Sequence, residues 1–173
     1  VDYEVLNRGV SGNRIVDLYA RIKSDIINLK PDVMSILIGV NDVWHEFAES
    51  PNGVDADKYY KIYDMLIEEI KIELPDVKIM IMEPFVLKAS FTEGKWDSFN
   101  AEVKKRAEMA KKIAQKYNIE VLQEIKEYIL HKEGIPQILK LDLVMKIIEE
   151  ISQNSTRYRV FKERKLDVDN VNV

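Results

Sequence analysis

Residues 33–42 read V-M-S-I-L-I-G-V-N-D. The run over residues 33–39 is nearly all apolar, and a strand that is apolar on both faces belongs inside a parallel sheet. Upstream, Ile15, Leu18, Tyr19, Ile22, Ile26 and Leu29 recur at helical spacing over residues 14–29, and Pro31 is the stop. Before them, residues 3–7 make a short extended run that ends in the turn-prone Asn7-Arg8-Gly9 and Ser11-Gly12-Asn13. Downstream, a polar loop holds Pro51, Asn52 and Gly53. The spacing of Tyr59, Ile62, Tyr63, Leu66, Ile67 and Ile70 then predicts an amphipathic helix over residues 55–74.

Pro75-Asp76 breaks that helix, and V-K-I-M-I-M at residues 77–82 is a second buried strand, ended by Glu83-Pro84. A loop over residues 85–94 leads to a helix over residues 96–117, with Phe99, Val103, Ala107, Ala110 and Ile113 in register. Asn118 is the terminator, and residues 119–122 form a third short strand after it. This β-α-β-α-β-α-β order implies a parallel sheet with right-handed crossovers, in a three-layer α/β/α sandwich. Beyond residue 123 the pattern degrades. Residues 124–131 and 138–151 have helical spacing, and residues 157–161 alternate like an exposed strand in a charged tail.

Composition excludes several chemistries. The 173 residues suit one domain, and 46% hydrophobic with 32% charged residues is ordinary for a globular protein. A net charge of -4 gives no basic footprint for nucleic acid. No apolar run reaches the ~18 residues of a membrane span. Without cysteine there are no disulfides, thiolate metal sites or cysteine nucleophiles. His45 and His131 are the only histidines, too few for a three-histidine metal site. The chain opens at Val1 on an extended run, from which a missing N-terminus, and with it an invisible targeting signal, is expected.

Two loops stand at carboxyl ends of parallel strands, where such sheets bind ligands. They are residues 7–13 and Gly39-Val40-Asn41-Asp42. Both combine Gly with Asn. Glycine lets a backbone N–H approach a ligand closely, and an Asn side chain offers a neutral donor. Two such donors converging on one point would make an oxyanion hole; two tight turns need the same residues for their own sake.

The pair N-R-G-V-S-G-N-R (residues 7–14) and I-L-I-G-V-N-D-V-W-H (residues 36–45) resembles the second and third conserved blocks of the SGNH, or GDSL-type, hydrolases. The resemblance covers residues 3–123 and takes in M-E-P-F at residues 82–85 and Gly94-Lys95-Trp96-Asp97. It implies a flavodoxin-like fold and ester hydrolysis by a serine nucleophile, without metal or organic cofactor. The implied substrate is a small acyl ester or an acylated carbohydrate. It also implies that Gly12 and Asn41 supply the oxyanion donors. Asp42, Trp44 and His45 are expected on the substrate side, with Glu46 at the rim and Glu83 lining the site or capping the next segment.

The sequence departs from that family at two motifs. No G-D-S occurs, so the family's nucleophile has no counterpart, and the D-x-x-H base motif is absent. The nearest match is His131-Lys132-Glu133-Gly134-Ile135-Pro136. Read two bases along, permissible codons for residues 134–142 give D-S-T-N-P-E-A-G, so a frameshift near Ile135 is one explanation. Residues 1–123 are thus expected to be a hydrolase-like core lacking its first strand, and residues 124–173 an atypical segment. A Ser11–His45 dyad is the substitute constellation, but position 13 is Asn where a nucleophile elbow needs Gly. The expectation is an esterase scaffold with little or no activity. The alternative is a non-catalytic module binding acyl groups or carbohydrate. A nucleotide-binding domain is disfavoured because no G-x-G-x-x-G occurs.

Overall fold

The computed structural model describes residues 4–88 and 90–122. The chain divides into two compact units, and the unit of residues 8–131 holds every described element. Of the other unit, residues 4–7 are described and form neither helix nor strand. The strand expected over residues 3–7 is therefore not formed where it is described. An extended run becomes a strand only where a neighbour supplies a ladder, and none pairs with residues 4–7 among the described residues.

Three strands make a parallel sheet in the order β1 (Val33–Leu37), β2 (Lys78–Met82) and β3 (Glu120–Leu122). Val33 faces Lys78 at the start of the first ladder, Ile36 faces Ile81, and Ile81 faces Val121. The fold class is α/β with a parallel sheet, as the alternating pattern requires. Ile36 and Ile81 point to the same face and meet the helices there. Ser35 and Leu37, on the other face of β1, are exposed. The elements expected over residues 124–131, 138–151 and 157–161 lie outside the described residues.

The residues before β1 make α1 (Ile15–Ala20), α2 (Ile22–Asp25) and one 3-10 turn (Ile27–Leu29), not one continuous helix. The break falls at Arg21 (φ -106, ψ 10), whose guanidinium reaches back to Asn13 Oδ1 at 2.6 Å and forward to Asp25. Two adjacent β-branched residues, Ile26-Ile27, weaken helix continuity further. Ile15, Ile22 and Ile26 still bury together.

After β1 come α3 (Val40–Trp44) and a 3-10 turn (His45–Phe47), and then the long α4 (Ala56–Glu73). Asp55 caps α4 by accepting the Lys58 N–H at 2.8 Å. Pro75 ends it by pushing Leu74 out of helical geometry (φ -132, ψ 71). Its buried face is Tyr59, Tyr63, Leu66, Ile67 and Ile70, each burial contributing about 1.5–3 kcal/mol. After β2, α5 (Ser90–Glu93) precedes α6 (Trp96–Tyr117). Asn118 closes α6 in the left-handed conformation (φ 52, ψ 51), and the Ile119 N–H bonds Ala114 O at 2.8 Å. α6 lies beside α4, and α1 packs on α4.

Candidate active site

The turn after β1 depends on Gly39. Its φ of +131 is one that side chains rarely adopt, and a Cβ there would lie 3.0 Å from Pro84 Cγ and 3.2 Å from the Tyr59 hydroxyl. That hydroxyl donates to Ile38 O at 3.0 Å. The strand end is thus held from α4, and α3 starts immediately, carrying Asn41, Asp42 and Trp44.

The other loop turns at Gly12 (φ +83), with the Asn13 N–H on Val10 O at 3.2 Å. Nothing lies within 4 Å of a Cβ at position 12, so backbone angle and not crowding selects glycine there. Beyond the turn, Arg14 and Asp17 close on each other. The Arg14 backbone N–H and Nε both donate to Asp17 Oδ2, at 2.9 and 2.8 Å. The guanidinium holds the Asp17 carboxyl below its ordinary range. Arg14 Nη1 also donates to the carbonyl of Asn52.

The two loops meet through α3 and the residue after it. Asn41 Nδ2 donates to Asn13 O at 3.1 Å. His45 Nε2 lies 3.3 Å from Gly12 O, a carbonyl that can only accept. Asp42 Oδ1 accepts the Ile15 N–H, the first of α1, at 3.0 Å. Asp42 is fully buried, and its Oδ2 has no hydrogen-bond partner among the described residues. Burial raises this carboxyl to about 6, against the hydrogen bonds from the Ile15 N–H and its own N–H and the more distant Arg106 and Arg14, which lower it.

A third segment locks α3 from behind. The Val54 N–H donates to Asp42 O and the Asn52 N–H to His45 O, both at 3.1 Å. Gly53 fits so closely that a Cβ would stand 2.4 Å from Asp42 O. Arg106 on α6 anchors this loop. Its side chain is buried, and Nη2 donates to Glu46 Oε2 and to Val54 O, both at 2.7 Å, while Nη1 engages Glu102.

Of the residues expected at the site, Gly12, Asn41 and His45 come together. Asp42 is a buried joint between loops and not part of an exposed wall. Trp44 stands edge-on to Phe99, with ring centroids 5.5 Å apart, and Lys95 Nζ lies 4.4 Å from its ring centroid. Glu46 is held by Arg106, and Glu83 lies 3.5 Å from Lys111 Nζ. No hydrogen bond joins Ser11 to His45, whose Nε2 faces the Gly12 carbonyl. His131 and Glu133 lie outside the described residues. Among the described residues no group of three acidic, His or Cys side chains is placed to hold a metal, and no helix is long and apolar enough to cross a membrane.

The sequence pattern put Phe99, Val103, Ala107, Ala110 and Ile113 in register on α6 but did not single out Arg106. The available signal was spacing, since Phe99, Val103, Arg106, Ala110 and Ile113 fall three or four residues apart on the buried side.

On this parallel α/β sheet the turn after β1 brings Asn41 against the Gly12-Asn13 turn. The chain belongs to the GDSL-like Lipase/Acylhydrolase family, whose sequence model matches residues 2–133. It is 34% identical over 116 residues to an acetylxylan esterase of Geobacillus stearothermophilus, covering 66% of this chain and 51% of that protein. The chain therefore spans about half the length of that relative. A solved catalytic mutant of Axe2, an acetylxylan esterase from the same organism, superposes with a TM-score of 0.59 at 30% identity, covering 68% of this chain and 52% of that one. A structure described as a GDSL-like lipase from Parabacteroides merdae ATCC 43184 gives a TM-score of 0.60 at 32% identity, covering 68% and 53%. The shared fold is the flavodoxin-like α/β/α arrangement expected from the sequence.

Proposed function

We propose that this chain carries the oxyanion-stabilising part of a serine ester hydrolase site that acts on a small acyl group borne by a carbohydrate. The observation that carries the reading is the tie from Asn41 Nδ2 to Asn13 O, which sets the Asn41 amide beside Gly12. A carboxamide has two N–H donors. One is engaged at Asn13, and the other is the donor proposed for the substrate. In the reaction a serine oxygen attacks the acyl carbon and the carbonyl oxygen takes the negative charge. The Gly12 N–H and the second Asn41 N–H stabilise that charge before the sugar hydroxyl leaves. Water then releases the acyl group. The resemblance to an acetylxylan esterase supports the substrate class.

Because the sequence contains no G-D-S, little or no turnover is proposed for this chain. Without its nucleophile such a site keeps only binding and charge stabilisation. The same observation favours a second reading, a module that binds acylated carbohydrate without cleaving it. Hydrolysis of p-nitrophenyl acetate, with Asn41→Ala as the control, tests the first. Robust turnover abolished by that substitution would overturn the inactivity. Calorimetry with acetylated xylo-oligosaccharide tests the second, and heat of binding without ester loss supports it. Absence of binding would remove the second reading.

A further inference from the structure

We propose that Asp42 is a positioning residue for the donor pair: its ionised carboxyl, buried between α3 and the first turn of α1, holds Asn41 in register with Gly12. This rests on the reading of those two residues as oxyanion donors.

The geometry leaves Asp42 one function. Its backbone is fixed from behind, because its carbonyl accepts the Val54 N–H at 3.1 Å. Its side chain reaches forward, and Oδ1 accepts the Ile15 N–H at 3.0 Å. Ile15 is two residues past Asn13, whose carbonyl receives the Asn41 amide. Asn41 and Asp42 are thus two consecutive residues gripping one turn at two points.

The charged and titratable groups around the carboxyl come from four segments, and each is committed elsewhere. Arg14, just before α1, bonds Asp17 and the Asn52 carbonyl. Arg106 on α6 bonds Glu46, Glu102 and the Val54 carbonyl. Tyr59 on α4 donates to Ile38 O. His45, following α3, faces the Gly12 carbonyl. The carboxyl's grip on the α1 turn therefore rests on the Ile15 N–H, while its own backbone N–H is its other donor. A bond to an ionised acceptor is roughly twice as strong as one to a neutral acceptor, so proton uptake loosens the grip. Burial, which brings the carboxyl to about 6, puts that change inside an accessible pH range.

The test is an NMR titration of the isotopically labelled chain from about pH 4 to 8. It is run in the wild type and in a His45→Gln background, which removes the neighbouring imidazole. The Asp42 carboxyl carbon, the Ile15 backbone amide and the Asn41 side-chain amide are expected to follow one curve with a midpoint of about 6. Adding Asp42→Asn should flatten the two amide curves. An Asn41 amide that stays flat while Asp42 titrates would overturn the proposal. So would an Asp42 carboxyl that titrates in the ordinary carboxylate range, a result the wild type alone supplies if Asp42→Asn fails to fold. No turnover enters the readout, so a failure of hydrolysis and a failure of positioning are separate outcomes.

Discussion

Asn41 donates its side-chain N–H to the carbonyl of Asn13 at 3.1 Å, across 28 residues of sequence. Together with the Asp42–Ile15 and His45–Gly12 contacts, this bond ties two loops that each look like an ordinary turn. Removing it has a defined expected effect. Asn41→Ala leaves the Asn13 carbonyl without this donor and deletes the proposed oxyanion donor. Whatever ester turnover the chain shows should fall by about 10²–10³, the cost of losing one such donor. Stability should fall by only about 1 kcal/mol, the value of one hydrogen bond. Initial rates on p-nitrophenyl acetate and a urea melt measure the two.

Gly12 and Gly39 both have positive φ but should respond differently to alanine. At Gly39 a Cβ meets Pro84 and Tyr59 as well as the backbone strain, and Gly39→Ala is expected to cost about 3 kcal/mol. At Gly12 a Cβ meets nothing, and Gly12→Ala should cost about 1 kcal/mol of backbone strain alone. Parallel urea denaturation of both variants checks the difference, and equal losses would contradict it.

Arg106 should tolerate no truncation. Arg106→Met takes this partner from Glu46 and the Val54 carbonyl, and leaves Glu102 with Lys105 alone. Both carboxylates keep some contact with water, at 29% and 27% side-chain exposure, so the loss should fall near the low end for a broken buried pair, about 3 kcal/mol. Arg106→Lys keeps the charge but not the two-pronged contact, and should recover part of that loss. Chemical denaturation midpoints give both values.

The Asp42 carboxyl sets a pH slope on stability. Its folded value of about 6 exceeds the ordinary 3.8, so between those pH values the folded state binds more protons than the unfolded one. This contribution is fully present below pH ~4, is lost as pH rises to ~6, and does not return above it. The expected loss is on the order of 2–3 kcal/mol. Asp42→Asn should remove this part of the slope and be more stable than the wild type at about pH 8. Denaturation midpoints at about pH 4.5 and 8 decide it. The ionised group that holds the turn thus does so at the expense of fold stability.

Much of the architecture was readable because it obeys local rules. The apolar run before Gly39, the spacing of Tyr59, Tyr63 and Leu66, and Asn118 after a long helix each placed an element. The Gly-and-Asn content of two loops was equally compatible with plain tight turns, and it was the resemblance to the SGNH hydrolases that singled out Gly12 and Asn41. What escaped the sequence depends on partners distant in the chain. Residues 3–7 read as a strand because extension is local, whereas a ladder needs a neighbour. Asp42 was expected on the substrate side by resemblance alone, and nothing near it in sequence announces that Ile15 and Val54 will surround it. Arg106 was hidden because its charge argued for solvent while its helical register argued for the interior.

The contacts of Arg106 also bear on the order in which the molecule assembles. It joins groups 60 and 52 residues apart in the chain, a separation that makes closure entropically slow. The loop at Val54, and the α3 turn it braces, should therefore acquire protection only after α6 has docked, later than the interior of α4. Pulse-labelled hydrogen exchange would read this as late protection at the Val54 amide, and early protection there would refute it. On this sequence of events the two halves of the candidate site meet after the interior of α4 has formed.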